Sequence, residues 1–218
     1  MYLMNGRGSK TDRGYKTPYI TFYKDNKWTT YTPSQLGLYD FIGFAYDVTS
    51  VVTDPKDKSH YYFSTFGEGV FEVKNDKIIA IHNHATTNNQ IKTANVDNYH
   101  YNRCDGLNID SYGNIYVGMS SVKNPITLYS NSTGWKNIDH KNEFKTEWAH
   151  KLIFTSKYRA LLSARSKACI YFWHDNKTPL DPSDDKIVIY ESTNWKDKDG
   201  KSISTSYLFD AQEDKNGT

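Results

Sequence analysis

Residues Ile109–Gly118 read IDSYGNIYVG: an apolar residue, an Asp-x-x-Gly turn, then an alternating run. Asp accepts bonds from the backbone just ahead of it, and Gly supplies the left-handed conformation that closes such a turn. In the run that follows, Ile115 and Val117 fall on one face of a strand and Tyr116 on the other. Phe154–Ser163, FTSKYRALLS, matches this stretch without gaps as apolar, small polar, turn, polar and alternating strand. Thr53–Ser64, TDPKDKSHYYFS, repeats the idea with a longer turn. Glu213–Thr218, EDKNGT, repeats its first half, with Asp214 and Gly217 where Asp110 and Gly113 stand.

The strand after each turn begins near Tyr61, Ile115 and Ala160, and the next would begin after residue 218. MYLMN at the start reads as the same strand without its turn. The phases near 1, 61, 115 and 160 therefore divide residues 1–218 into about four units and leave no second domain. Units of roughly 40 to 60 residues with several short strands each are the mark of propeller blades, the longer ones carrying loop insertions.

A second hairpin follows each phase. GVFEVKNDKIIAI (Gly69–Ile81), ITFYKDNKWTTYT (Ile20–Thr32) and ITLYSNSTGWKNI (Ile126–Ile138) are period-two strands joined by Asn, Asp or Gly turns. In Ile170–Tyr190 the equivalent turn swells into HDNKTPLDPSDD, His174–Asp185. Helical periodicity is scarce. NEFKTEWAHKLIF is ambiguous, and its β-rich continuation favours a strand. The expectation is an all-β propeller, because a lone four-stranded sheet cannot cover both faces whereas radial stacking buries them.

Composition agrees. The chain is polar, yet it holds 18 Tyr, 10 Phe and 5 Trp, an aromatic content that disordered chains lack. The net charge of +2, with no long block of one sign, offers no face for nucleic acid. No apolar run approaches the roughly 20 residues of a membrane span. No signal peptide is visible, which in a fragment leaves the parent's export open. Cys104 and Cys169 fit no metal or redox spacing; buried free thiols are expected over a disulfide.

Candidate chemistry is sparse. The acidic loop offers Asp175, Asn176, Asp181, Asp184 and Asp185. It lacks the register of a calcium loop and reads as turn chemistry, or as a contact loop projecting from one rim. His82 and His84 share a strand face, half a metal site, with no carboxylate or cysteine nearby in sequence to complete it. Gly67 and Gly69 in FGEGV mark a β-bulge or a place where blades approach closely rather than a phosphate loop. No nucleophile motif or selected carboxylate pair appears, so no catalytic residue, metal or cofactor is assigned. Most of the tryptophans are expected between blades, in the core.

LFDAQEDKNGT, Leu208–Thr218, resembles the start of the two-component regulator propeller repeat, and NIDSYGNIYVG carries that family's turn and strand together. DPKDKSHYYFSTFGEGVFEVKNDKIIAIHN and HDNKTPLDPSDDK resemble the N-terminal propeller of PorZ-like proteins of Bacteroidetes. The resemblance implies part of a larger, seven-bladed propeller rather than a small closed ring. It also implies a non-enzymatic scaffold of the type IX secretion system, in the periplasm or on the outer cell surface. Protein partners of the envelope, or an anionic or glycan ligand, are its implied contacts. The alternatives are a periplasmic glycan-sensing propeller of a hybrid two-component system and, third, a propeller glycosidase or lyase.

Overall fold

The computed structural model describes residues 2–4, 16–36, 46–95, 101–141, 144, 148–163, 169–205, 208 and 210–217, and of 2–4 the backbone alone. Tyr2–Met4 (β1), Ile20–Lys24 (β2) and Lys27–Tyr31 (β3) form a three-stranded sheet. Val48–Asp54 (β4), Asp57–Thr65 (β5), Val70–Lys74 (β6) and Lys77–His82 (β7) form the second. Cys104–Ile109 (β8), Ile115–Met119 (β9), Ile126–Ser130 (β10) and Gly134–Asn137 (β11) form the third. Ala149–Phe154 (β12), Arg159–Ser163 (β13), Cys169–His174 (β14) and Lys186–Glu191 (β15) form the fourth. Each is an antiparallel meander in chain order, and together they are blades of a β-propeller. The only helical element among the described residues is a single 3₁₀ turn at Ser192–Asn194, and no helix is long and apolar enough to cross a membrane.

The turns form for local reasons. Asp25 and Asn26 have φ of +52° and +60°, and Asn75 and Asp76 of +50° and +61°, the paired left-handed residues of a tight hairpin. At Asp110, the carboxylate accepts from the Tyr112 and Asn114 amides at 2.9 Å, and Gly113 N donates to Asp110 O at 3.1 Å. Asp214 reproduces this turn: Asn216 N reaches its carboxylate at 2.8 Å, and Gly217 N reaches Asp214 O at 3.1 Å. The ambiguous segment becomes β12, with 142–143 and 145–147 outside the described residues.

Strand alternation sends each sheet's two faces to different neighbours. Phe22 and Ile20 of the first sheet pack on Tyr61, Phe63, Phe71 and Val73 of the second. Tyr62 and Val70, on the opposite face, pack on Leu107, Ile115 and Val117 of the third. Tyr116, Ile126 and Leu128 then meet Leu152, Leu161, Tyr171 and Trp173 of the fourth. Cys104 and Cys169 form no disulfide and are buried in two separate cores, and burial pushes the Cys104 thiol up.

At the hub the first strands β4, β8 and β12 lie side by side. All three are bulged at the same place, with register shifts between Val48 and Ser50, Cys104 and Gly106, and Ala149 and Lys151. A bulge re-aims its extra residue. Thr49 uses this to reach across, donating to Cys104 O at 2.7 Å, while Ser120 reaches Ala149 O at 2.7 Å. Gly106 permits the approach: a Cβ there would meet Leu152 N at 2.8 Å.

Candidate functional site

The acidic loop between β14 and β15 is tied down residue by residue. Asp175 faces Arg159, Oδ2 to Nε 3.4 Å, and that guanidinium lies 4.2 Å above the Phe154 ring. Asn176 and Lys177 adopt φ of +44° and +68°, and Asn176 Nδ2 donates to Asp184 O at 2.5 Å. Asp184 accepts from the Thr178 hydroxyl at 2.9 Å. Asp181 accepts from Ser183 Oγ and N at 2.5 and 3.0 Å, which holds its carboxyl below the usual range. Asn176, Asp181 and Asp184 remain exposed.

Asp185 points the other way. Its side chain is 5% exposed, and Oδ2 meets His140 Nε2 at 2.8 Å, with His140 2% exposed. The pair pins the loop to the β11–β12 connection, so this member of the acidic run is an anchor rather than a contact. Burial, followed by repulsion from Asp175, Asp184 and Asp181, pushes Asp185 up to about 7. Burial pushes His140 down to about 4. Among the described residues no three His, Cys, Asp or Glu side chains are placed to hold a metal ion.

A testable consequence follows from the raised carboxyl. A group whose folded pKa exceeds its unfolded value stabilises the fold below the unfolded value and loses that contribution as pH rises through the folded one. Asp185 therefore favours folding below about pH 4 and progressively less up to about 7. Asp185→Asn, which still accepts from His140, is expected to gain stability relative to the parent as pH rises from 4 to 8. Thermal unfolding at each pH reads the difference, and a pH-independent difference would contradict the assignment.

A second polar cluster lies between the second and third sheets. Glu72 on β6 stands opposite Tyr62 on β5, with His60 and His82 on its two diagonals. Its Oε1 meets His60 Nε2 at 2.7 Å and its Oε2 meets His82 Nε2 at 2.8 Å. The His82 bond, more than the His60 bond, pulls the Glu72 carboxyl down to about 2 against the opposing effect of burial. This corrects the sequence reading in which no carboxylate stood near His82. Glu72 is ten residues away in the chain and adjacent only through strand register. His84 does not join the cluster; its backbone N donates to Asn102 Oδ1 at 2.7 Å.

The third feature is the outward face of the fourth sheet. Ala160, Leu162, Ile170, Phe172, Val188 and Tyr190 line a groove of about 650 Å³, with Val188 48% and Tyr190 56% exposed. The equivalent faces of the first three sheets are each buried by the following sheet. The C-terminal segment borders this groove: Glu213 accepts from Ser156 N and Oγ at 2.8 and 2.7 Å, and Asp210 pairs with Lys151. At the hub rim, the Arg103 guanidinium lies 5.4 Å from the Phe66 and Tyr101 ring centres and 5.6 Å from Trp148.

No protein-family model and no curated protein matches the chain. Solved structures do. The chain is similar to PorZ, described as an essential bacterial surface component of the type IX secretion system of Porphyromonas gingivalis. The TM-score is 0.79 at 21% identity, over 99% of this chain and 29% of that one. A β-propeller domain of Cps50 (Swd1) from Myceliophteria thermophila matches with a TM-score of 0.48 and 12% identity, over 81% of this chain and 54% of that one. At such identities the PorZ likeness establishes the fold, a β-propeller. The chain spans less than a third of PorZ's length.

Proposed function

We propose that this chain is a non-enzymatic interaction scaffold, a propeller segment of a PorZ-like envelope protein of Bacteroidetes. The observation that carries the reading is the likeness to PorZ along 99% of the chain. On this reading residues 1–218 supply four blades of a larger, seven-bladed propeller, and the open face of the fourth sheet receives the next blade. The parent is exported to the periplasm or outer surface, and it acts by binding envelope proteins or an anionic or glycan ligand. The exposed loop residues Asn176, Asp181 and Asp184 are its proposed contact surface.

The glycan-sensing alternative rests on one feature. Tyr101 and Trp148 stand half-buried at the hub rim, 5.4 and 5.6 Å from the Arg103 guanidinium, a pair of rings on which a saccharide would stack. The enzyme alternative gains nothing from Asp185. Its raised carboxyl is buried against a histidine, not paired with a second carboxylate in a cleft.

Deleting the gene in its own bacterium separates the readings. The scaffold reading expects type IX cargo to be lost from the cell surface while growth on individual glycans is unchanged. Normal cargo display with loss of growth on one glycan would overturn it in favour of sensing.

A further inference from the structure

His82 joins the second and third sheets, and its geometry permits the join in one protonation state only. Trp135 Nε1 on β11 donates to His82 Nδ1 at 3.1 Å. An indole N–H is a donor and nothing else, so Nδ1 must present a lone pair. The ring's single proton then lies on Nε2, which donates to Glu72 Oε2 at 2.8 Å. A second proton would have to enter at Nδ1, directly opposite the indole N–H. Two donors would then face each other across the gap between sheets.

We propose that the His82–Trp135 bond is a proton-operated clasp between the second and third sheets, closed with neutral His82 and opened by imidazolium. The change is one-sided. Protonation leaves the bond from Nε2 to Glu72 in place and makes it charge-assisted, so His82 stays with its own sheet. The partner across the interface is the one released.

The groups around the ring come from five strands. Glu72 on β6 bonds it directly, and its other oxygen takes His60 Nε2 at 2.7 Å and the Tyr62 hydroxyl at 3.3 Å, both from β5. Asp54 on β4 approaches His60 Nδ1 at 3.5 Å. From the third sheet, Tyr129 on β10 stacks with a ring separation of 6.4 Å, and Trp135 on β11 lies 5.0 Å away. The two acids favour the second proton and His60, once charged, opposes it. Glu72 is held ionised to about pH 2, so the carboxylate does not titrate alongside the imidazole. Histidine is the side chain that changes charge most readily near neutral pH, so the clasp is tested by a scan across neutrality.

Tryptophan emission tests the clasp on the intact chain. The Trp135 signal is isolated by subtracting the spectrum of Trp135→Phe at each pH between 8 and 5. The parent is expected to show a one-proton transition in that signal. His82→Asn is expected to show none, because an amide oxygen near the Nδ1 position accepts from the indole at every pH. His60→Asn should keep the transition with a displaced midpoint. Circular dichroism in the far ultraviolet confirms that each variant is folded. A flat parent signal, or a transition that survives in His82→Asn, overturns the proposal. Should that variant fail to fold, ¹⁵N shifts of the His82 ring in the parent at pH 8 decide: an unprotonated Nδ1 supports the clasp, and a protonated one refutes it.

Discussion

Trp173→Ala is expected to lower stability by about 4 kcal/mol, within the range for truncating a buried tryptophan. Trp173 is 1% exposed at the centre of the interface between the third and fourth sheets. Its indole meets Phe144 edge-on at 5.6 Å and His140 at 6.3 Å, and it shares its cluster with Tyr116, Leu128 and Leu161. Alanine removes the ring from between two sheets whose strands are fixed by their own hydrogen bonds, so the space cannot close fully. In a domain with roughly 5 to 15 kcal/mol of total stability, that is a large share. Each sheet of the array touches only its neighbours, so the damage should be local. Hydrogen exchange should show lost protection in the third and fourth sheets with the first two largely retained. A denaturant midpoint within experimental error of the parent would contradict the packing described.

Gly69→Ala should cost more than about 3 kcal/mol, combining a left-handed backbone with a steric collision. Gly69 has φ +100°, and a Cβ there would sit 2.4 Å from His82 O and 3.1 Å from Asn83 Cβ. The site cannot relax freely. Thr65 N donates to Gly69 O at 2.8 Å, and the Thr65 hydroxyl holds Glu68 N at 3.0 Å. Gly113→Ala supplies the control. Gly113 has φ +93° with nothing within 4 Å of the added methyl, so it bears the conformational penalty alone, about 1 kcal/mol. Unfolding in urea should rank the two variants accordingly, and equal effects would remove the steric argument.

The strands and their turns were legible because they rest on local chemistry. Alternation in Ile115–Val117 and Tyr61–Phe63 separates the two faces that the neighbouring sheets bury. The Asp-x-x-Gly pattern at Asp110 and Asp214 folds into the same turn, as matching residues should. FGEGV reads as a bulge or a place where blades approach, whereas the approach that Gly69 makes is to the His82 carbonyl of its own sheet, set by the pairing of β6 with β7. The polar sites were not legible in the same way. Glu72, His60 and His82 meet through diagonals of a register that no single strand reveals. Asp185 stands in a run of aspartates, and only the path of the β11–β12 connection decides that it turns inward to His140. Nor did the expectation of core tryptophans hold throughout: Trp173 is buried, whereas Trp28 is 45% exposed against Tyr23.

The first three sheets each bury a face on the next, and we propose that the open face of the fourth is likewise a blade interface. Thiol labelling at Val188 tests it most directly, since Val188 lies in the groove and the native Cys104 and Cys169 are buried. Val188→Cys should react rapidly in the 218-residue chain and become protected in the longest natural polypeptide that contains this sequence. Equal reactivity in the two would mean that no further blade covers this face, and the propeller account would fail at its edge.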